Sequence, residues 1–118
     1  MKKRILVIDR DPTFLKMMVT FLEKFGFLVE AFFDSQALLN SFVSDEVRLV
    51  ITNFGKNGEG EILIREIKKI SPEVRIICLT GDWHPRSEVI CKKAGCDSFL
   101  QKPIELEQLR LEIKRLLK

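Results

Sequence analysis

Arg48-Leu49-Val50-Ile51-Thr52-Asn53 decides the fold of this 118-residue chain. Four of its residues are apolar or β-branched and run without strict alternation, the pattern of a strand buried on both faces. A glycine-rich loop, Phe54-Gly55-Lys56-Asn57-Gly58-Glu59-Gly60, follows it and leads into a helical pattern. In an open α/β sheet the carboxyl ends of the strands border the ligand crevice, so Asn53 stands where chemistry is expected. It brings an amide there and not a carboxylate.

Working outward, Arg4 to Ile8 reads as a first buried strand, with Asp9-Arg10-Asp11 at its carboxyl end. Asp11 or Asp9 caps the next helix, and Pro12 suits its first turn. From Thr13 to Phe25 the inward stripe is Phe14, Leu15, Met18, Phe21, Leu22 and Phe25, and Gly26 ends the helix. Phe27 to Phe33 is a second strand, and Asp34 or Ser35 caps a helix through Phe42 with Ala37, Leu38 and Phe42 inward. After the central strand, Glu61 to Ile70 is helical, with Ile62, Leu63, Ile67 and Ile70 inward. Ser71-Pro72 stops it, because the residue before proline resists helical geometry. Val74 to Leu79 is a fourth strand ending at Thr80-Gly81. A loop through Trp83, a helix from Arg86 to Lys93 and a short strand from Ser98 to Gln101 follow. Ile104 to Leu117 closes the chain, with Leu106, Leu109, Ile113, Leu116 and Leu117 inward. Five strands alternating with five helices imply crossovers and a parallel sheet covered on both faces, one doubly wound α/β domain over residues 1–118.

The composition belongs to an ordinary globular protein, with 46% hydrophobic and 31% charged residues. The net charge of +3 comes from 20 basic and 17 acidic residues, largely interspersed. Lys2-Lys3-Arg4 and Lys114-Arg115 read as solvated ends, and no basic stripe with interleaved aromatics marks a nucleic-acid surface. No segment reaches membrane-spanning length, and the chain reads as cytoplasmic. Cys78, Cys91 and Cys96 lack the tight paired spacing of a structural zinc site, even with His84 added, and read as reduced buried thiols.

Four stretches in order carry a resemblance that covers essentially the whole chain. They are Ile5-Leu6-Val7-Ile8-Asp9 with Pro12, Leu49-Val50-Ile51-Thr52-Asn53, Leu79-Thr80-Gly81, and Ala94-Gly95-Cys96-Asp97-Ser98-Phe99-Leu100-Gln101-Lys102-Pro103. Together they resemble the receiver domain of two-component response regulators, the fold of the bacterial chemotaxis response regulator. The resemblance implies a flavodoxin-like (βα)5 domain with strand order 2-1-3-4-5. It places Asn53 at the phosphoacceptor position, Thr80 at the switch hydroxyl and Lys102 at the phosphoryl-contacting lysine. Lys102-Pro103 then falls at a cis-proline joint, and Phe99 at the aromatic switch.

The departures bear on mechanism. The family acceptor is an aspartate that attacks a phosphoryl donor, whereas the Asn53 amide oxygen is a poor nucleophile. The second carboxylate of the acidic corner is replaced by Arg10. Counting Asp9, Arg10 and Lys102 with Asn53 neutral, the site carries one net positive charge where the family carries two net negative ones. Each unit charge pair across ~4 Å is worth about 4 kcal/mol at an effective dielectric of 20. Mg²⁺, which seeks hard anionic oxygens, is therefore not expected, and Asp11 does not compensate. Arg10 is placed to reach Asp9, Asp11 or the Asn53 carbonyl and to act as a built-in cation. Lys56-Asn57 replace the family's methionine-proline pair, and the loop is one residue short before Gly60.

The expected function is a receiver-like signalling module, not an enzyme, working through protein binding without aspartyl phosphate. Its expected partners are a histidine kinase, an output domain or another signalling protein, or a second copy of itself. The face of the fourth helix, last strand and last helix would then carry Arg86, Lys93, Phe99, Gln101, Ile104, Glu107 and Leu111. Two alternatives stand beside this reading. One is phosphorylation at Asp9, Asp11 or Thr52. The other is a flavodoxin-like cofactor protein, which would want a hydroxyl- and glycine-rich loop after the first strand, where Asp9-Arg10-Asp11-Pro12 stands.

Overall fold

The computed structural model describes residues 4–42, 46–82 and 84–118. Lys2 and Lys3 of the basic amino-terminal cluster, and Trp83, lie outside the described residues. Five strands, β1 (Arg4–Ile8), β2 (Leu28–Phe32), β3 (Val47–Asn53), β4 (Arg75–Thr80) and β5 (Ser98–Gln101), alternate with five helices. The helices are α1 (Pro12–Glu23), α2 (Ser35–Ser41), α3 (Glu59–Ile70), α4 (Pro85–Ala94) and α5 (Leu106–Leu116). All neighbouring strands pair in parallel, in the order β2-β1-β3-β4-β5. This is the expected topology. Among the described residues no helix is long and apolar enough to cross a membrane.

The absence of polar alternation in the inner strands follows from their having two cores. Leu6, Ile8, Val50, Ile76 and Cys78 point to one face, where Leu38 of α2, Leu63, Ile64 and Ile67 of α3, and Cys91 of α4 cover them. Ile5, Val7, Leu49, Ile51, Ile77 and Leu79 point to the other, under Leu15, Met18 and Leu22 of α1 and Leu109, Ile113 and Leu116 of α5. Successive strand residues therefore feed opposite cores, and both faces need apolar side chains.

Three residues expected inward face out. α1 ends at Glu23, so Phe25 falls beyond the helix and is 49% exposed, edge-on to Phe21. α3 starts two residues before the expected Glu61, and its stripe runs through Gly60, Leu63, Ile64 and Ile67. Ile62 lies off that stripe by about 100°, the angle of one helical step, and Ile70 falls in the last turn; both are exposed. The aromatic pair after β2 divides as its spacing implies, Phe32 buried and Phe33 exposed.

Two features fix how the helices meet the sheet. Gly58 enters α3 in the left-handed region at φ 76°, where glycine carries no Cβ penalty. Gly60 then packs so closely that an added Cβ would lie 2.5 Å from the Phe54 carbonyl oxygen and 2.6 Å from that of Asn53. At the far edge, the Ser98 hydroxyl at the start of β5 donates to Glu112 of α5. Arg115 donates to Glu112 at 2.9 Å and to the Ser98 oxygen at 3.1 Å. The Arg115 guanidinium first, and then the Ser98 hydroxyl, lower the Glu112 carboxyl from 4.5 to about 2.

Gly60→Ala is expected to cost about 1–3 kcal/mol through overpacking against backbone, more than the ~1 kcal/mol that alanine returns as a helix former. Thermal unfolding checks it, with an unchanged or raised Tm counting against the close approach. Glu112 has a folded pKa below its unfolded one, so its contribution is complete above pH 4.5 and is lost as pH falls towards about 2. Glu112→Gln should therefore destabilise by about 1 kcal/mol near neutrality, the scale of a partly exposed pair. Urea unfolding of the two proteins should converge as the pH is lowered through that window.

Candidate functional site

The parallel register brings four strand ends to one edge. Ile8 is level with Thr52, Asn53 with Leu79, and Thr80 with Gln101, so Asp9, Asn53, Thr80 and Lys102 border one crevice. Asp9 is 4% exposed. One of its carboxylate oxygens accepts from the Asp11 amide at 3.0 Å, and the other accepts from Lys102 Nζ at 2.7 Å. The Lys102 ammonium also lies 4.1 Å from the centre of the Phe14 ring, whose face attracts a cation. Its backbone is held by a bond from its amide to the Thr80 carbonyl at 2.7 Å, and the following bond to Pro103 is cis, as expected. Asp11 caps α1, accepting from the amides of Thr13 at 2.9 Å and Phe14 at 3.3 Å.

Arg10 does not turn to Asp9, Asp11 or the Asn53 carbonyl. Its guanidinium pairs with Glu59 at 3.1 Å, across from the β1–α1 corner to the first turn of α3. The expectation failed because α3 begins earlier than its apolar pattern indicates, which brings a first-turn glutamate to the crevice rim. Acidic residues favour that position, since they face the positive end of the helix dipole. Glu59 is the site residue that sequence reading missed. With Glu59 included, the charges counted from sequence on Asp9, Arg10 and Lys102 close into two ion pairs and cancel, while Asp34, Lys56 and Asp82 also border the hollows beside Asn53. The positive balance expected from sequence is corrected accordingly.

Asn53 lies between two hollows. One, of about 70 Å³, is bordered by Arg10, Asp34, Glu59 and Thr52. The other, of about 390 Å³, is bordered by Lys56, Thr80, Asp82, Ser87 and Lys102. The Thr52 hydroxyl is buried and donates to the Asn53 carbonyl at 3.0 Å. The buried Thr80 hydroxyl accepts from the Asp82 amide at 3.2 Å. Phe99, half-buried, meets Phe54 edge-on at 6.1 Å, so β5 touches the loop that follows Asn53.

On the α4–β5–α5 face, Arg86, Lys93, Gln101 and Glu107 are exposed, and Leu111 is 53% exposed, as expected. Ile104 instead packs partly against the core between α1 and α5. Exposed Val89 on α4 adds an apolar side chain that sequence reading passed over. The cysteines are buried thiols: Cys91 Sγ lies 3.1 Å from Cys78 Sγ, and hydrogen bonding between neighbouring thiols, with burial, raises Cys91 and Cys96 above the ordinary thiol range. His84 is occupied elsewhere, accepting from the Arg86 amide at 3.0 Å as the cap of α4.

Comparison with known proteins agrees with this architecture. The chain is 25% identical over 118 residues to the transcriptional regulatory protein RprY of Bacteroides fragilis, covering 99% of this chain and 50% of that protein. It is 29% identical over 119 residues to the response regulator MprA of Mycobacterium bovis, covering 52% of it. The chain thus spans about half the length of these curated relatives. A CheY-like receiver domain protein from Methanospirillum hungatei superposes with a TM-score of 0.90 at 28% identity, over 99% of this chain and 94% of that one. A receiver domain protein from Clostridium thermocellum gives 0.89 at 30% identity, over 98% and 94%. Residues 5–114 match the family described as response regulator receiver domain, and the chain belongs to that family of two-component signalling modules.

Proposed function

We propose that this receiver domain signals by binding a protein partner without carrying an aspartyl phosphate, and that Lys102 holds Asp9 in place of a divalent cation. The observation that carries this reading is the 2.7 Å ion pair between Lys102 and Asp9 beside a neutral residue at position 53. With no carboxylate on Asn53, the nearest anion for a lysine at the end of β5 is Asp9. The donors do not suit Mg²⁺, which wants several hard oxygens in octahedral array. Both Asp9 oxygens are engaged, the Asp11 carboxylate caps α1, and position 10 supplies a fixed cation.

The same contacts weigh against the substitute acceptors. A nucleophile must present a free lone pair to its donor. Asp9 is buried against Lys102 and the Thr52 hydroxyl is buried against the Asn53 carbonyl, while the exposed Asp11 is engaged through one oxygen only, which accepts two helix amides. The partner in this reading is a histidine kinase, an output domain, or a second copy meeting the α4–β5–α5 face at Val89 and Leu111, two large apolar side chains left exposed there.

Intact-mass spectrometry after incubation with acetyl phosphate and Mg²⁺ tests the reading. The wild-type chain is expected to gain no phosphoryl group, whereas the double variant Arg10→Asp/Asn53→Asp is expected to gain one at position 53. Labelling of the wild type at Asp9, Asp11 or Thr52 would overturn the proposal. A double variant that stays unlabelled would shift the cause from charge to the short loop between Phe54 and Gly60.

A further inference from the structure

At the opposite end of the sheet from Asn53 lies a groove of about 360 Å³ between the end of α1 and the end of α5. That volume falls within the roughly 300–1,000 Å³ typical of small-molecule sites. Its apolar walls include Phe21, Phe25, Phe27 and Leu117, and its other lining side chains are cationic, among them Arg48, Arg110 and Lys114. Among the described residues no acidic side chain lines it.

We propose that this groove binds an amphipathic monoanion, a straight-chain carboxylate of the fatty-acid type. Phe25 is the first sign. It stands beyond the helix that should have buried it, half exposed, with its ring edge-on to Phe21 at 5.2 Å. An apolar floor that folding leaves open gains from a hydrocarbon chain, about fourfold in affinity for each methylene removed from water. The cations at the edge supply the other half of the recognition. Arg110 lies 5.9 Å from the Phe25 ring centre and is also paired with Glu107, so its charge is partly met. Arg48 donates to the Leu117 carbonyl at 2.8 Å, which fixes its guanidinium at the mouth. Lys114 is exposed and forms no ion pair among the described residues, leaving an ammonium for the head group. An acyl chain on the phenylalanines with its carboxylate at Lys114 and Arg48 satisfies both surfaces at once. A cationic or neutral amphiphile satisfies only one.

Amide-resolved NMR titration with decanoate, below its micelle concentration, tests this. Saturable single-site binding is expected, with shifts centred on Phe21, Phe25, Phe27 and Lys114. Hexanoate, four methylenes shorter, should bind at least about tenfold more weakly, and decyltrimethylammonium should not saturate. Phe25→Ser and Lys114→Glu alter exposed side chains, and each should weaken decanoate at least about threefold with the spectrum otherwise unchanged. The chain-length series uses the wild-type protein and does not depend on either variant. Non-saturating shifts, equal binding of the cationic amphiphile, no dependence on chain length, or unchanged affinity in both variants would overturn the proposal. So would binding of an acidic amphipathic peptide without any binding of decanoate, which would make the groove a protein-docking surface.

Discussion

The ion pair between Lys102 and Asp9 ties the end of β5 to the end of β1, across the two strands that lie between them. It is short, and the carboxylate is almost wholly withdrawn from water. A buried carboxylate without a partner is costly, and breaking such a pair from one side typically costs about 3–5 kcal/mol. Lys102 keeps a quarter of its side chain in solvent, which moderates that figure. Something positive must stand at Asp9 for the crevice to keep its shape. In this chain the cation is part of the polypeptide.

The remainder of the site follows from that requirement. With Asp9 and Lys102 neutralising each other, Arg10 finds its anion in Glu59, on the first turn of α3. The pair is largely exposed on the arginine side and contributes little energy by itself, on the order of 0–1 kcal/mol. What it does is geometric, joining the β1–α1 corner to the helix that Gly60 presses against the end of β3. Phe54, at the start of the same loop, rests on Phe99 of β5. A partner that pulled on either loop would therefore act on both the Asn53 side and the β5 side of the crevice.

Much of this was legible in the sequence, because the double-sided burial of the parallel strands leaves a distinctive apolar run. Leu49 to Thr52 could belong only to an inner strand, and Gly81, Gly95 and Pro103 punctuate the ends of elements where the structure has them. The sequence also put an amide, Asn53, and a cation, Arg10, beside the strand ends that border the crevice. What sequence could not show was pairing in three dimensions. Arg10 had two carboxylates close by in the chain, and neither holds it, since Asp11 is engaged by helix amides and Asp9 by Lys102. Glu59 lay hidden in what read as loop, because a helix that begins on Gly58 announces itself by backbone conformation and not by an apolar residue. Phe25 misled for a related reason: helical spacing continues past the point where the helix stops.

Calorimetric titration of Mg²⁺ into the wild-type chain, with the double variant Arg10→Asp/Asn53→Asp beside it, asks most directly whether Lys102 stands where a metal would. No stoichiometric heat is expected from the wild type at millimolar Mg²⁺, and single-site binding is expected once carboxylates stand at positions 10 and 53. Stoichiometric binding of Mg²⁺ by the wild-type chain would contradict this, for Asp9 would then prefer a metal to its lysine.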